Sequence, residues 1–241
     1  PMNPLQILFS SFSKKRVLII GDVMIDSYII GKVDRVSPEA PVPVVDVTGF
    51  DQRLGGAGNV ALNIKAMGAT PILCSVVGQD KEGKDLRDIM MKAGLTCNGL
   101  IHSDKRKTTN KTRVLGNNHQ LLRIDHEITH DLDVVDSFLL EQRFTEELEN
   151  CDVVIFEDYN KGVLTEKVIS EVIKLAQQYN VVTTVDPKKD NFLAYKNVTL
   201  FKPNLKELKE GLGLSFDYSK NPEALDNALV ELQKQLHNQF S

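Results

Sequence analysis

The stretch Leu54-Gly55-Gly56-Ala57-Gly58-Asn59 is the most informative part of this sequence. Its three glycines fall within four positions, so the backbone there can adopt positive φ and approach another group closely. We expect Asn59 to cap a helix over residues 60–67, which Gly68 then ends. A glycine loop that leads into a helix presents free N–H groups and the positive end of the helix dipole. The stretch therefore predicts a binding site for a polar or anionic small molecule.

The composition excludes several classes of function. With 29 Lys and Arg against 33 Asp and Glu, the net charge of -4 disfavours a nucleic-acid partner. No apolar run is long enough for a transmembrane helix, so we expect no membrane partner. Cys74, Cys97 and Cys151 are widely spaced and odd in number, which indicates reduced thiols and a cytoplasmic location. The 241 residues suffice to bury a full core.

Short apolar runs that are typical of buried strands alternate with amphipathic helices along the chain. The first run covers residues 16–21 and ends in glycine. Similar runs occupy residues 72–77, 152–156, 181–185 and 198–201. Residues 81–93 and 165–179 carry apolar side chains at helical spacing. This alternation predicts an α/β fold with a doubly wound, mostly parallel sheet.

Two segments interrupt the alternation and predict a small additional β-sheet. Residues 27–49 are strand-like but rich in proline between positions 38 and 43, which confines a strand to an edge. Residues 107–125 alternate in polarity around the turn at residues 116–118. We expect both segments to form a β-sheet flap that covers a ligand. Because exposed strand edges invite pairing, the flap also predicts a homodimer.

Polar residues follow four of the predicted strands. They are Asp22 with Asp26, residues 157–162, residues 186–188 and residues 202–207. Ligands of doubly wound sheets bind beyond the carboxyl ends of the strands, where these residues meet. Carboxylates bind sugar hydroxyls and Mg²⁺, and lysines neutralise phosphate. The sequence therefore predicts a site for a polyhydroxylated substrate and a metal–nucleotide.

Each of these residues also has a structural interpretation. Asp22 can cap a helix, and Asn204 with Glu207 forms the pattern of a capping box. Their predicted location at one sheet edge favours the functional interpretation. The glycine loop lacks the Gly-Lys-Ser/Thr ending of a P-loop, and no Gly-x-Gly-x-x-Gly follows the first strand. These two differences disfavour a P-loop nucleotide site and a dinucleotide-binding fold.

In its motifs, the sequence resembles the ribokinase-like (PfkB) carbohydrate kinases. Residues 55–59, followed by Gly68 and Gly78, are similar to the first signature of that family. Residues 21–26, 35–44 and 158–162 resemble one subfamily, the kinases of D-glycero-D-manno-heptose 7-phosphate. The resemblance extends from Val17 to about residue 232. It implies that residues 1–241 are the N-terminal part of a ribokinase-like kinase domain, with segments 27–49 and 107–125 inserted as the flap.

The resemblance also implies a reaction. The γ-phosphate of ATP would pass to the anomeric hydroxyl of the heptose 7-phosphate, with Mg²⁺, to give the 1,7-bisphosphate. This step belongs to the synthesis of ADP-heptose for lipopolysaccharide. The subfamily is often fused to a nucleotidyltransferase domain further along the polypeptide.

The resemblance assigns roles to individual residues. The residues implied to bind the sugar phosphate are Asp22, Asp26, Gly55, Gly56, Asn59, Lys111, Arg113 and Asp158. The residues implied to bind ATP are Asp186, Lys188, Asn204, Leu205, Lys206 and Glu207. Asp186 and Glu207 would also be metal ligands. Lys161 would lie where the transferred phosphate passes and would support catalysis.

One signature of the family does not occur in this sequence. Asp-Thr-x-Gly-Ala-Gly-Asp, which supplies the catalytic base, is absent between Val17 and Ser241. The last predicted helix has an apolar stripe that a sheet should cover, made by Leu225, Leu229, Leu232 and Leu236. We therefore expect the C-terminal part of the fold, and the base with it, to be missing. The alternatives are another sugar kinase of the family and a non-catalytic sugar-phosphate-binding fragment.

Overall fold

Two β-sheets organise the chain in a computed structural model that describes residues 3–215 and 223–236. The main sheet has six strands, and every neighbouring pair in it is parallel. Their spatial order is β10 (Leu200–Phe201), β9 (Val182–Asp186), β8 (Val153–Glu157), β1 (Arg16–Gly21), β4 (Thr70–Gly78) and β5 (Leu100–Ser103). The predicted α/β fold with a mostly parallel sheet is confirmed.

Helices cover both faces of the main sheet, as a doubly wound fold requires. They are α2 (Ala57–Ala66), α3 (Lys81–Lys92), α4 (Val134–Leu148), α5 (Glu166–Gln178), α6 (Leu205–Leu212) and α7 (Glu223–Leu236). The first helix, α1 (Pro4–Phe12), buries no residue. Alternate residues of β1 enter different cores, because side chains of a strand point to opposite faces. Leu18 belongs to the core that includes residues of α4, α5 and α7, and Ile19 belongs to the core that includes residues of α2 and α3. No helix in the described ranges combines the length and apolar character needed to cross a membrane.

A second sheet of four strands, the flap sheet, carries the predicted flap segments. Its strands, in spatial order, are β3 (Pro43–Gly56), β2 (Val23–Val36), β6 (Thr109–Gly116) and β7 (His119–His126). β2 pairs with β6 in parallel, and the two outer pairs are antiparallel. β2 starts four residues before position 27, because its first residues, Val23 to Ile25, are buried in the core beside α2. The flap sheet therefore emerges directly from the carboxyl end of β1.

The glycine stretch joins the flap sheet to α2, and here one prediction was wrong. β3 runs to Gly56 and α2 begins at Ala57, so Asn59 is the third residue of the helix and not its cap. Gly56 is the N-cap residue, with a φ of 56°. A Cβ on Gly56 would lie 2.4 Å from the carbonyl oxygen of Asp22, which accepts the N–H of Ala57. Glycine is needed here for both its positive φ and this close approach.

The final helix, α7, packs against the core with three of the four leucines of the predicted stripe, Leu225, Leu232 and Leu236. Ala228, Leu232 and Leu236 are buried, whereas Leu229 is 46% exposed. Ala228, one turn before Leu232, therefore makes the core contact that was expected of Leu229. Residues 216–222 fall outside the described part of the chain.

Candidate active site

The loop after β8, residues 158–163, is built around the buried carboxylate of Asp22. Asp22 is 1% exposed. Its Oδ2 accepts the N–H groups of Tyr159 at 2.8 Å and Lys161 at 3.1 Å, and Oδ1 accepts that of Val163 at 3.2 Å. Burial raises the pKa of Asp22 to about 6, against the effect of these hydrogen bonds. Both oxygens accept backbone N–H groups of the loop, so Asp22 organises it; its assignment to the sugar stays a prediction, which this burial does not favour.

Asp158 is a second carboxylate that the structure turns inward. It is 2% exposed. Its Oδ1 accepts the N–H of Asn160 at 2.9 Å, and Oδ2 accepts from the Asn191 amide at 3.0 Å and the Tyr195 hydroxyl at 2.7 Å. Asp158 thereby joins the loop to the segment after β9. The assignment of Asp158 to the sugar stays a prediction, which this buried environment does not favour.

Asp26, in contrast, lies half-buried on the flap sheet. Its Oδ1 accepts from Nη1 of Arg113 at 2.6 Å, and the side chains are 22% and 26% exposed. A Cβ on Gly55 would lie 2.5 Å from Oδ2 of Asp26, so only glycine allows this carboxylate to lie against the β3 backbone. The ring of Tyr28 contacts the guanidinium groups of Arg53 and Arg113, 5.2 and 5.5 Å from its centroid. Asp26 and Arg113, which the resemblance assigns to the sugar phosphate, thus form one ion pair on the flap sheet.

Glu127 connects the flap sheet to the loop after β8. One of its oxygens accepts from Nζ of Lys111 at 2.8 Å and the other from Nζ of Lys161 at 2.7 Å. The three side chains are 15–19% exposed. Burial alone would raise the pKa of Glu127, but the hydrogen bonds from both lysines leave it below its usual value. Two lysines that the sequence assigned to separate phosphates therefore converge on one carboxylate.

The two faces of the flap sheet differ in polarity. On one face, Arg53, Asp26, Lys111 and Asp125 are directly opposite one another across all four strands. The next row on this charged face contains Asp51, Tyr28, Arg113 and Arg123. The row beyond these two lies on the other face and contains Phe50, Ile29, Val114 and Leu122. The row between the two charged rows is also on that other face and contains Gln52, Ser27, Thr112 and Ile124. We call these the charged face and the apolar face, and all the predicted sugar-phosphate ligands of β2 and β6 lie on the first.

The predicted nucleotide residues form a separate group at the ends of β9 and β10. Lys188 makes a short hydrogen bond to Oε1 of Glu207 and lies 3.7 Å from Asp186. Asn204 and Glu207 exchange side-chain to backbone hydrogen bonds of 2.9 Å and form the capping box of α6. Leu205 and Lys206 are exposed on the first turn of that helix. The structural interpretation of Asn204 and Glu207 is therefore confirmed, and any role in nucleotide binding adds to it.

Glu157 joins this group, although the sequence did not single it out as a ligand. It ends β8 directly beside Asp186 at the end of β9. Burial, followed by repulsion from Asp186, raises the pKa of Glu157 to about 7, while Lys188 and Lys202 act in the opposite direction. Its position at the end of an apolar strand was the available signal. Glu127 gave none, because it follows an exposed strand and its partners are distant in sequence.

The donor chemistry of this edge fits a magnesium ion that arrives with a nucleotide. Mg²⁺ in such sites takes one or two carboxylates and completes its shell with phosphate and water oxygens. Lys188 contacts both Asp186 and Glu207, and Glu157 is a half-buried carboxylate whose pKa is raised mainly by burial. Within the two described ranges, no three His, Cys, Asp or Glu side chains are arranged to hold a metal ion without other ligands. The carboxylates at this edge therefore fit a Mg²⁺ ion whose remaining ligands are phosphate and water oxygens.

The chain belongs to the pfkB family of carbohydrate kinases, whose family model matches residues 14–240. It is 39% identical to the bifunctional protein HldE of Campylobacter curvus, over 95% of this chain and 48% of that protein. It is 44% identical to the HldE protein of Caulobacter vibrioides, over 85% of this chain and 42% of the relative. The chain thus spans about half the length of the curated relatives it matches.

Solved structures confirm the ribokinase-like fold. The tetrameric inhibited form of phosphofructokinase-2 from Escherichia coli matches with a TM-score of 0.70 at 18% identity, over 93% of this chain and 71% of that one. The Arabidopsis thaliana ribokinase complexed with ribose and ATP matches with a TM-score of 0.61 at 14% identity, over 92% and 69%. At these identities the likeness supports the fold and says nothing about the substrate.

Proposed function

We propose that the protein containing this chain phosphorylates D-glycero-D-manno-heptose 7-phosphate at its anomeric hydroxyl, with ATP as the phosphoryl donor. Membership of the family supports a sugar kinase, and the resemblance of residues 35–44 supports the heptose. The observation that carries the proposal is the convergence of Lys111 and Lys161 on Glu127, between the charged face and the loop after β8. Two ammonium groups at one point suit a substrate that carries one phosphate and receives another.

On the sugar side, the half-buried groups of the charged face would make the contacts. Asp26 would accept hydrogen bonds from sugar hydroxyls, in a space that Gly55 keeps open. Lys111 and Arg113 would neutralise the phosphate already on the sugar. Gly56 and the exposed Asn59 would complete the site from the first turn of α2. Asp22 and Asp158 would act from beneath the loop, without touching the sugar.

On the nucleotide side, the ends of β9 and β10 would hold the donor. ATP supplies the phosphoryl group, and Mg²⁺ offsets the charge of its phosphates. Lys188, with Lys206, would neutralise phosphate oxygens, and the N-terminal turn of α6, with Asn204 and Leu205, would line the nucleotide. Asp186 and Glu207 would hold Mg²⁺. Lys161 would offset the negative charge of the group in transfer, because phosphoryl transfer requires mainly positioning and charge neutralisation.

The general base would come from the second signature of the family, which this sequence does not contain. The relatives are named bifunctional and are about twice the matched length, which supports a further domain in the complete polypeptide. All activity measurements below therefore use the full-length protein.

We propose a homodimer through the apolar face of the flap sheet. Phe50 is 76% and Leu122 56% exposed, and Ile29 and Val114 lie between them in one row. An exposed apolar row across the face of a sheet favours burial against a second copy. Light scattering should show a dimer, and Phe50→Asp with Leu122→Asp should give a monomer. A wild-type monomer would contradict the proposal.

ADP release with a panel of acceptors tests the function. The panel contains heptose 7-phosphate, ribose, fructose 6-phosphate and a nucleoside. We expect the highest kcat/KM with heptose 7-phosphate, and Lys111→Met should lower it about tenfold or more, while Lys32→Met on an exposed part of β2 should not. A preference for another acceptor would support another kinase of the family. If the protein binds heptose 7-phosphate but releases no ADP from ATP with any acceptor of the panel, a non-catalytic protein is supported.

A further inference from the structure

Lys161 lies in a loop whose backbone conformation is tightly determined. Gly162, the next residue, has a φ of 82°. A Cβ on Gly162 would lie 2.0 Å from the carbonyl oxygen of His130, so only glycine permits this approach. On the N-terminal side of Lys161, Asp22 accepts the N–H of that residue. The loop is therefore enclosed between a buried carboxylate and the segment around His130.

Arg106 binds the carbonyl side of the same loop. Its side chain is buried, at 7% exposure. Nη2 donates to the carbonyl oxygen of Lys161 at 2.5 Å, and Nη1 donates to that of His130 at 2.6 Å. The planar guanidinium thus joins two loops through two donors of fixed geometry, which a lysine ammonium cannot reproduce. Arg106 contacts neither the charged face nor the nucleotide group, so the proposed reaction leaves its burial unexplained.

Glu127 supplies the remaining contact, because it accepts from the Lys161 ammonium at 2.7 Å. The N–H, the C=O and the Nζ of one residue are therefore each held by a different charged side chain. These three partners are Asp22, Arg106 and Glu127, which are 139, 55 and 34 positions away in sequence. A surface lysine normally keeps its rotamer freedom, and ordering it costs entropy. Three long-range anchors on one lysine point to a side chain that must be in place before the substrate arrives.

We propose that Arg106 and Glu127 are positioning residues for Lys161, Arg106 through its backbone and Glu127 through its ammonium. This inference rests on the proposed function, in which Lys161 neutralises the transferring phosphoryl group. Neither residue touches the sugar or the nucleotide through this role. Both act by presenting the Lys161 ammonium in one orientation, so their effect on the reaction depends on Lys161.

A double-mutant cycle on the full-length protein tests this dependence. Arg106→Lys should lower kcat about tenfold or more and change the KM for heptose 7-phosphate less than about twofold, because only transfer is affected. Added to Lys161→Met, which removes the ammonium, Arg106→Lys should have no further effect on kcat. Independent, multiplicative losses would overturn the proposal, since Arg106 would then not act through Lys161. Lys105→Gln, at the exposed neighbouring position, is the control that should leave kcat unchanged.

Glu127→Gln provides a second cycle that does not alter the buried core. It should lower kcat in the wild-type background and leave the kcat of Lys161→Met unchanged. Should Arg106→Lys fail to fold, this cycle decides the proposal on the same criterion. An unchanged kcat for Glu127→Gln would contradict it.

Amide hydrogen exchange separates this proposal from the proposed function. Arg106→Lys should speed exchange of the Lys161 and Val163 amides about tenfold or more, while amides of α3 remain unchanged. Unchanged exchange in the loop would overturn the positioning role. Faster exchange, with no phosphorylation of any sugar by the wild type, would contradict only the proposed function.

Discussion

Three aspartates at the same end of the main sheet differ in burial: Asp22 and Asp158 are buried, whereas Asp26 is half-buried. Asp22 and Asp158 are 1% and 2% exposed, and their oxygens accept from backbone and side-chain donors of the protein. Asp26, four residues from Asp22, is 22% exposed at its side chain and pairs with a half-buried arginine. The buried pair organises the loop, whereas the half-buried residue lies on the charged face, where we propose that the sugar binds. The burial of each aspartate and the donors that it accepts from, rather than its residue type, thus distinguish a structural role from a proposed binding role.

The largest effect that we expect from this comparison is on stability. Asp22→Ala leaves three N–H groups of the loop, those of Tyr159, Lys161 and Val163, without their acceptor, which should cost about 3–5 kcal/mol of unfolding free energy. Asp26→Ala removes a partly solvated ion pair and should cost less than about 1 kcal/mol. Urea denaturation at pH 7 measures both. Equal losses would remove the distinction between the two aspartates.

The second expected effect concerns the sugar and reverses the order of the two residues. Asp26→Ala should raise the KM for heptose 7-phosphate about ten- to a hundredfold, because a charged acceptor for sugar hydroxyls is lost. Asp51→Ala, which removes a carboxylate paired with Arg53 on the same face, is the matched control and should change this KM little. Steady-state kinetics on the full-length protein provides the comparison. A KM that is insensitive to Asp26 would place the sugar elsewhere.

A third prediction extends the comparison to Glu157 and pH. The folded-state pKa of about 7 lies above the usual 4.5, so the stability contributed by Glu157 is complete below pH 4.5 and is lost as pH rises through 7. Glu157→Gln has no such loss. The stability of the variant relative to wild type should therefore increase by about 1–2 kcal/mol between pH 4.5 and 8, after allowance for solvent screening.

Denaturation midpoints measured across this pH range give that difference. Glu146→Gln, at a side chain that is 64% exposed, serves as the control for removal of a carboxylate. A difference between Glu157→Gln and wild type that does not vary with pH would show that Glu157 is well solvated.

The smallest expected effect separates a helix cap from a nucleotide ligand. Asn204→Ala removes the N-cap of α6, and Thr165→Ala removes that of α5; each should cost about 1 kcal/mol. Only Asn204→Ala should also raise the KM for ATP, by a few-fold. If the two variants have the same KM for ATP, Asn204 is a cap alone.

The sequence predicted the main sheet well, because the signal there is local. Runs such as residues 16–21 are apolar throughout and end in glycine, and the structure forms β1 over the same residues. Asn59 was misjudged because Gly56, with its positive φ, begins the helix without a side-chain cap. Local pattern identifies which residues can cap a helix, but the approach of Asp22 to Gly56 determines which one does.

The candidate site was less accessible to sequence reasoning, for a physical reason. Asp22 and Asp26 are equivalent in sequence terms, and only the tertiary path of residues 158–163 buries the first and leaves the second in reach. The Glu127 bridge joins residues 16 and 34 positions away, and Arg106 meets the Lys161 carbonyl across 55 positions. No periodicity or motif encodes such contacts. They emerge when loops from different strands meet at one edge of the sheet.

The central claim is that the sugar phosphate lies between the charged face and the loop, against Lys111 and Lys161. Lysine acylation of the full-length protein, followed by mass spectrometry with and without heptose 7-phosphate, tests it most directly. We expect the ligand to slow acylation of Lys111 and Lys161, and to leave Lys81 and Lys105, which are 80% and 60% exposed at their side chains, unchanged. Saturating ligand that protects neither Lys111 nor Lys161 would contradict the account.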